Sequence, residues 1–118
     1  MVKLLITRYL KRRHLLAQSA LKQRYLVIDL ELTGLDPKQH EIVSVAWVLI
    51  ENQCIKNSQS QHIVNKEVKS LEQSPVFHGI STDSVAQGQS LQSILMSLSA
   101  HFSDCILVFH NAMLDWGF

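Results

Sequence analysis

Long apolar runs are missing from this 118-residue chain. No segment approaches the roughly eighteen consecutive apolar residues of a membrane span, so no membrane partner is expected. Cysteine is scarce. Cys54 and Cys105 lie far apart, and neither has a Cys or His at metal-ligand spacing. Free thiols in a reducing cytoplasm are the expectation, and the cytoplasm is the expected location. With 47% hydrophobic residues and no long low-complexity run or internal repeat, a disordered chain is excluded. The length suits one domain with a real core and is short for two.

Acid is missing from the first 24 residues. They carry Lys3, Arg8, Lys11, Arg12, Arg13, Lys22 and Arg24, a charge of +7. Residues 25–118 total −6, so a basic arm precedes an acidic body. The arm also lacks Gly and Pro, which suits a helix. Ile6, Leu10, Ala17 and Leu21 fall at helical spacing, with His14 interrupting the stripe. Three readings stay open for it: an amphipathic helix packed on its own domain with a solvated basic face, a contact for a polyanion, or a transit peptide. A secretory signal is excluded, because Arg8 ends the apolar run too early.

What is present begins with "RYLVIDLEL", which reads as a buried strand. "TGLDPKQH" is a turn, "EIVSVAWVLI" a second strand, and "CIKNSQSQHIVN" a polar third strand at an edge. Short connections predict an antiparallel meander. "KEVKSLEQSPVFHGIST" is irregular, broken by Pro75 and Gly79. "SLQSILMSLSAHF" has Leu91, Ile94, Leu95 and Leu98 on one helical face. "CILVFHN" is a buried strand, predicted parallel to the first, and "AMLDWGF" opens another helix. The predicted class is α/β, with a mixed sheet in βββαβα order and helices on its faces.

Asp29 and Glu31 stand two apart at the end of the first strand, so they share a face about 7 Å apart. Two such carboxylates repel, and a hard divalent cation with the oxygen preferences of Mg²⁺ resolves the conflict. Two solvated acids at a strand end satisfy the same spacing. The other buried strand ends at His110 and Asn111, with Asp115 four residues beyond Asn111. Ligands in open α/β sheets bind past the carboxyl ends of parallel strands, where these three carboxylates would converge.

These residues carry a resemblance. D-x-E-x-T-G is present as Asp29, Glu31, Thr33 and Gly34; H-G-I-S as His78 to Ser81; and H-N-A followed by Asp115 as His110, Asn111 and Ala112, with Leu114 where the pattern has Phe. Residues 25–118 thus resemble the DEDD 3′–5′ exonucleases, in particular the proofreading epsilon subunit of bacterial DNA polymerase III and its relatives. The basic arm, residues 1–24, lies outside the resemblance. It implies a ribonuclease H-like fold and hydrolysis of a nucleic-acid 3′ end with two Mg²⁺ or Mn²⁺ ions about 4 Å apart. Asp29 is expected to bridge both ions, Glu31 to bind one, and Asp115 to support the second. Leu32, Thr33, Gly34, Phe77, His78 and Asn111 are expected to hold the terminal nucleotide of single-stranded DNA or RNA, with Leu35 adding apolar surface. His78 reads equally well as a loop or core histidine, and His110 as structural. A polymerase or a second copy of the chain is an expected partner.

The family's third motif, a general-base His followed five residues later by a fourth metal-binding Asp, has no counterpart here. The domain is therefore expected to be C-terminally incomplete, about the first two thirds, with an open apolar sheet face and weak or no activity. General acid–base catalysis alone is worth about 10²–10⁴-fold. The alternative is a non-catalytic nucleic-acid-binding or assembly module of the same ancestry. A metal-dependent phosphatase would explain Asp29 but not the H-G-I-S and H-N-A elements.

Overall fold

The computed structural model describes residues 2–71, 79–115 and 117–118. Helix α1 spans Val2–Ala17 and is followed by a 3-10 turn at Ala20–Lys22. Strands β1 (Tyr25–Leu32), β2 (Ile42–Glu51), β3 (Cys54–Ile55) and β4 (Gln61–Val64) come next. Then follow α2 (Thr82–Ala86), α3 (Leu91–Ser99), β5 (Ile106–Phe109) and α4 (Ala112–Asp115). The mixed sheet has the order β3-β2-β1-β5, with β4 also on β2.

Antiparallel β1 and β2 are joined by a turn that uses its polar residues locally. Asp36 accepts from Lys38 N at 3.0 Å and from Gln39 Nε2 at 2.8 Å, and Pro37 presets the backbone between them. Thr33 N donates to Glu41 O at 3.0 Å and Glu41 N donates to the Thr33 hydroxyl at 2.9 Å, closing the turn's base. At the other end of β2, Asn52 and Gln53 have φ of 52° and 62°. Both positive values suit the two-residue hairpin into β3, whose twist matches the strands.

The single edge strand expected over 54–65 is instead two. A 3-10 turn at Asn57–Gln59 separates β3 from β4, and both halves pair antiparallel with β2. Asn, Ser and Gln hold strand geometry weakly and bond locally, here Gln59 N to Lys56 O at 2.9 Å and Ser60 N to Asn57 O at 3.1 Å. The irregular segment expected over 66–82 gives way at Thr82 to α2, an element not expected from the sequence, started by Ser81 as N-cap accepting from Ser84 N at 3.2 Å.

Ser90 caps α3 in the same way, accepting from Ser93 N at 3.2 Å. Ile94 and Leu98 of α3 are buried against Leu26, Ile28, Val45, Trp47 and Leu49, whereas Leu95, expected on that face, lies at its rim and is exposed. The crossover then delivers β5 parallel to β1, as expected, with Tyr25 opposite Ile106 and Ile28 opposite Phe109. A second, smaller cluster gathers Val43, Leu71 and Ile80. Val43 reaches it because β2 carries one extra residue where Leu32 pairs with Ile42, a bulge that turns the strand end.

α1 departs from the packed helix that its apolar spacing suggested. Leu10 and Leu16 in the helix and Leu21 in the turn after it are all exposed. Among the described side chains of α1, Leu15 alone is half-buried and the rest are exposed. No described helix is long and apolar enough to cross a membrane.

Candidate metal and nucleic-acid site

Strand alternation divides the sheet's two faces sharply. Leu26 and Ile28 point into the α3 side and are 0% and 1% exposed. Asp29 is exposed and Glu31 half-buried on the opposite face. The β1–β5 register ends at Ile28 opposite Phe109, so His110 leaves β5 next to Asp29, while β1 runs on to Leu32 against β2. His110 and Asn111 are both exposed. The two parallel carboxyl ends therefore lie together, as the topology required.

Asn111 opens α4. Its side-chain oxygen accepts from Leu114 N at 3.4 Å, while its own backbone N–H donates to Asp115 Oδ2 at 3.2 Å. This reciprocal cap holds Asp115, which is buried. One carboxylate oxygen of Asp115 is thus engaged with the backbone. Among the described residues, no three His, Cys, Asp or Glu side chains are gathered closely enough to hold a metal ion. Asp29, Glu31 and Asp115 are on adjoining elements without forming a closed ligand cluster. The donor set itself, hard carboxylate oxygens with Asp29 open to solvent, fits Mg²⁺ or Mn²⁺ chemistry.

Leu32 is half-buried and packs on the main core, while Leu35 is exposed at the turn. Thr33 is buried, and its hydroxyl already accepts from Glu41 N and lies 3.4 Å from His40 Nδ1. Gly34 sits under the His40 ring. A Cβ added there would meet ring atoms at 2.6 Å, so the glycine is needed for space. Phe77 and His78 lie outside the described residues.

No sequence motif singles out His40 or His62. His62 pairs with Ala46, which pairs with Asp29, so the three form one row across the sheet. Its Nε2 is 3.1 Å from the hydroxyl of buried Ser44, the partner of Glu31. Only the strand register reveals this, because no sequence motif spans the two strands. A cleft of about 380 Å³ lined by Trp47, Gln61, Ile63 and His101 lies elsewhere. Trp47 pairs with Ile28, so that cleft opens on the α3 side, away from the carboxylates. Cys54 is exposed and Cys105 buried, both free, and burial pushes the Cys105 thiol up against the opposing pull of Arg24.

The family model described as Exonuclease matches residues 26–118. The 3′-5′ exonuclease DinG of Bacillus subtilis is 35% identical over 100 residues, covering 82% of this chain and 10% of that protein. A PolC-type DNA polymerase III of Mycoplasmopsis pulmonis is 32% identical over 99 residues, 83% of this chain and 7% of that one. The DNA polymerase III epsilon subunit of Rickettsia prowazekii is 28% identical over 93 residues, 78% of this chain and 41% of its own. The chain thus spans about two fifths of the epsilon subunit and a tenth or less of the other two. Among solved structures, cell-death related nuclease 4 superposes with a TM-score of 0.64 at 17% identity, covering 80% of this chain and 37% of that one. That likeness establishes the ribonuclease H-like exonuclease fold.

Proposed function

This chain belongs to the exonuclease family, and from that premise we propose that its carboxylate face hydrolyses phosphodiester bonds at the 3′ end of single-stranded DNA or RNA. The observation that carries this reading is the pair Asp29 and Glu31. They stand on one face at the carboxyl end of β1, beside the end of β5. The end of β5, with Asn111 and Asp115 just beyond it, adds a third carboxylate on an adjoining element, which two solvated surface acids would not require.

Asp29 and Glu31 would hold Mg²⁺ or Mn²⁺, with Asp115 completing the set through its free oxygen. Bound there, a pair of such ions supplies the Lewis acidity that activates water and stabilises the leaving 3′-oxygen. Asn111 holds Asp115 in place through its backbone N–H. Leu32, Gly34 and Leu35 line the turn against which a terminal nucleotide rests. Thr33 supports that turn from beneath, and Phe77, His78 and Asn111 are the further nucleotide contacts. The names of the epsilon and PolC-type relatives make a DNA polymerase a reasonable partner and the bacterial cytoplasm a reasonable location.

A second reading has its own observation. Asp115 is buried with one oxygen on a backbone N–H, and no closed ligand cluster stands among the described residues. That favours a binding or assembly module that keeps the fold without turnover. The two readings separate on a uniformly labelled single strand incubated with Mg²⁺ or Mn²⁺, with and without EDTA. The catalytic reading expects mononucleotides released only when metal is present. Retained binding with no released nucleotide from folded protein would favour the module.

A further inference from the structure

The basic arm is the largest concentration of one charge sign in the chain, and the carboxylate chemistry does not use it. Its start lies outside the residues matched by the exonuclease family, which begin at Leu26. Two observations bear on it. First, its apolar residues Leu10, Leu16 and Leu21 are exposed, as are Lys11, Arg13 and Lys22, so its own domain does not bury this surface. Second, its carboxyl end is tied down. The buried Gln23 side chain donates to the carbonyls of Leu15 and Gln18, at the end of α1. Tyr25 Oη donates to Ala20 O at 2.9 Å, and Arg24 pairs with Glu51 at 2.9 Å. Lys11, Arg13 and Lys22, all exposed, stand shortly ahead of this clasp, which holds the end of the arm at the amino end of β1.

We propose that this arm is a docking surface for the sugar-phosphate backbone of nucleic acid, supplying the attraction that the acidic body lacks. The body carries −6 and places Asp29 and Glu31 where a phosphodiester must approach. A polyanion meets net repulsion there unless cations elsewhere offset it. The six cations Lys3, Arg8, Lys11, Arg12, Arg13 and Lys22 do so, without acid among them. The partner's class follows from that charge: a chain of phosphates, read without sequence preference. From Arg24 to Asp29 is five residues of strand, about 16 Å, so one single strand of many nucleotides can touch both the arm and the carboxylate face. The inference rests on the nucleic-acid reading above but not on turnover.

The test is fluorescence anisotropy of 5′-labelled single-stranded 20-mer and 4-mer oligonucleotides in EDTA. It compares the wild type with a variant carrying Arg8→Gln, Lys11→Gln, Arg12→Gln and Lys22→Gln. Glutamine preserves helix propensity, and circular dichroism checks that both proteins are folded. For the 20-mer, four lost phosphate contacts should lower the slope of log affinity against log salt by about 3 and weaken binding at least about tenfold at low salt. The 4-mer has fewer phosphates to offer and should show a smaller drop in slope than the 20-mer. An unchanged 20-mer affinity and slope would overturn the proposal. So would arm-dependent sedimentation with phosphatidylserine vesicles, if the variant's oligonucleotide binding is unaltered. Because EDTA removes turnover, arm-dependent binding by an inert protein would sink the catalytic reading alone. A nucleotide-releasing protein with arm-independent binding would sink only this one.

Discussion

Ile28 and Asp29 are neighbours on β1, yet they belong to different molecules in physical terms. Ile28 faces α3 at 1% exposure among Leu26, Trp47 and Ile94, and its loss would leave a cavity. Asp29 faces the other way and is exposed, so the fold gains almost nothing from it. On the α3 face Leu26, Ile28, Val45 and Leu49 are 1% exposed or less. On the carboxylate face Val27, Val48 and Ile106 are half-buried and Val108 is 38% exposed. One strand thus separates stability from chemistry by its two-residue period alone.

The comparison breaks most visibly through single substitutions on adjacent residues. Asp29→Ala should cut nucleotide release by about a hundredfold or more, the several kcal/mol that metal-assisted charge stabilisation supplies. The same change should move unfolding free energy by less than about 0.5 kcal/mol in a urea titration. Ile28→Ala should do the reverse in kind. It should cost about 2–5 kcal/mol, a large share of a small domain's stability, with any loss of release tracking the unfolded fraction. If Asp29→Ala unfolded the chain, the division between the faces would fail.

Gly34→Ala probes the turn between the faces. A methyl there meets the His40 ring at 2.6 Å, so a cost of about 1–3 kcal/mol is expected from overpacking. The pair Gly34→Ala with His40→Ala should cost less than the sum of the singles, because the clash is gone. Additive losses in a thermal melt would show that the His40 ring is not the reason for the glycine. The smallest effect concerns the thiols. Burial holds the Cys105 thiol up, so it stays protonated to higher pH than an exposed thiol. At pH 8 iodoacetamide should label Cys54 first and Cys105 only as the chain opens, read by mass spectrometry.

Much of this was legible in the sequence. β1, β2, α3 and β5 were, because "YLVIDLEL", "EIVSVAWVLI", "ILMSL" and "CILVF" combine strong apolar patterns with clear breaks. So was the parallel pairing of β1 with β5, since a helical crossover returns the chain in the same direction. The split of the edge strand was not, because β3 and β4 are defined by where each half meets β2. Leu95 at the rim of α3 and the exposed Leu10 and Leu21 of the arm depend on what packs opposite, which periodicity does not encode. The site was legible as a set of residues and not as an arrangement. That Asp115 would bond the Asn111 backbone, that Thr33 would support the turn, and that His62 would share a row with Asp29 are consequences of register and capping.

The most direct measurement is the shortening of a 5′-labelled single-stranded oligonucleotide by the 118-residue chain in Mn²⁺, beside folded Asp29→Ala protein. A ladder of stepwise shorter products that disappears in the variant is the predicted result. A ladder that persists in the variant would place the chemistry outside the carboxylate face. No ladder from folded wild-type protein would contradict catalysis by this chain.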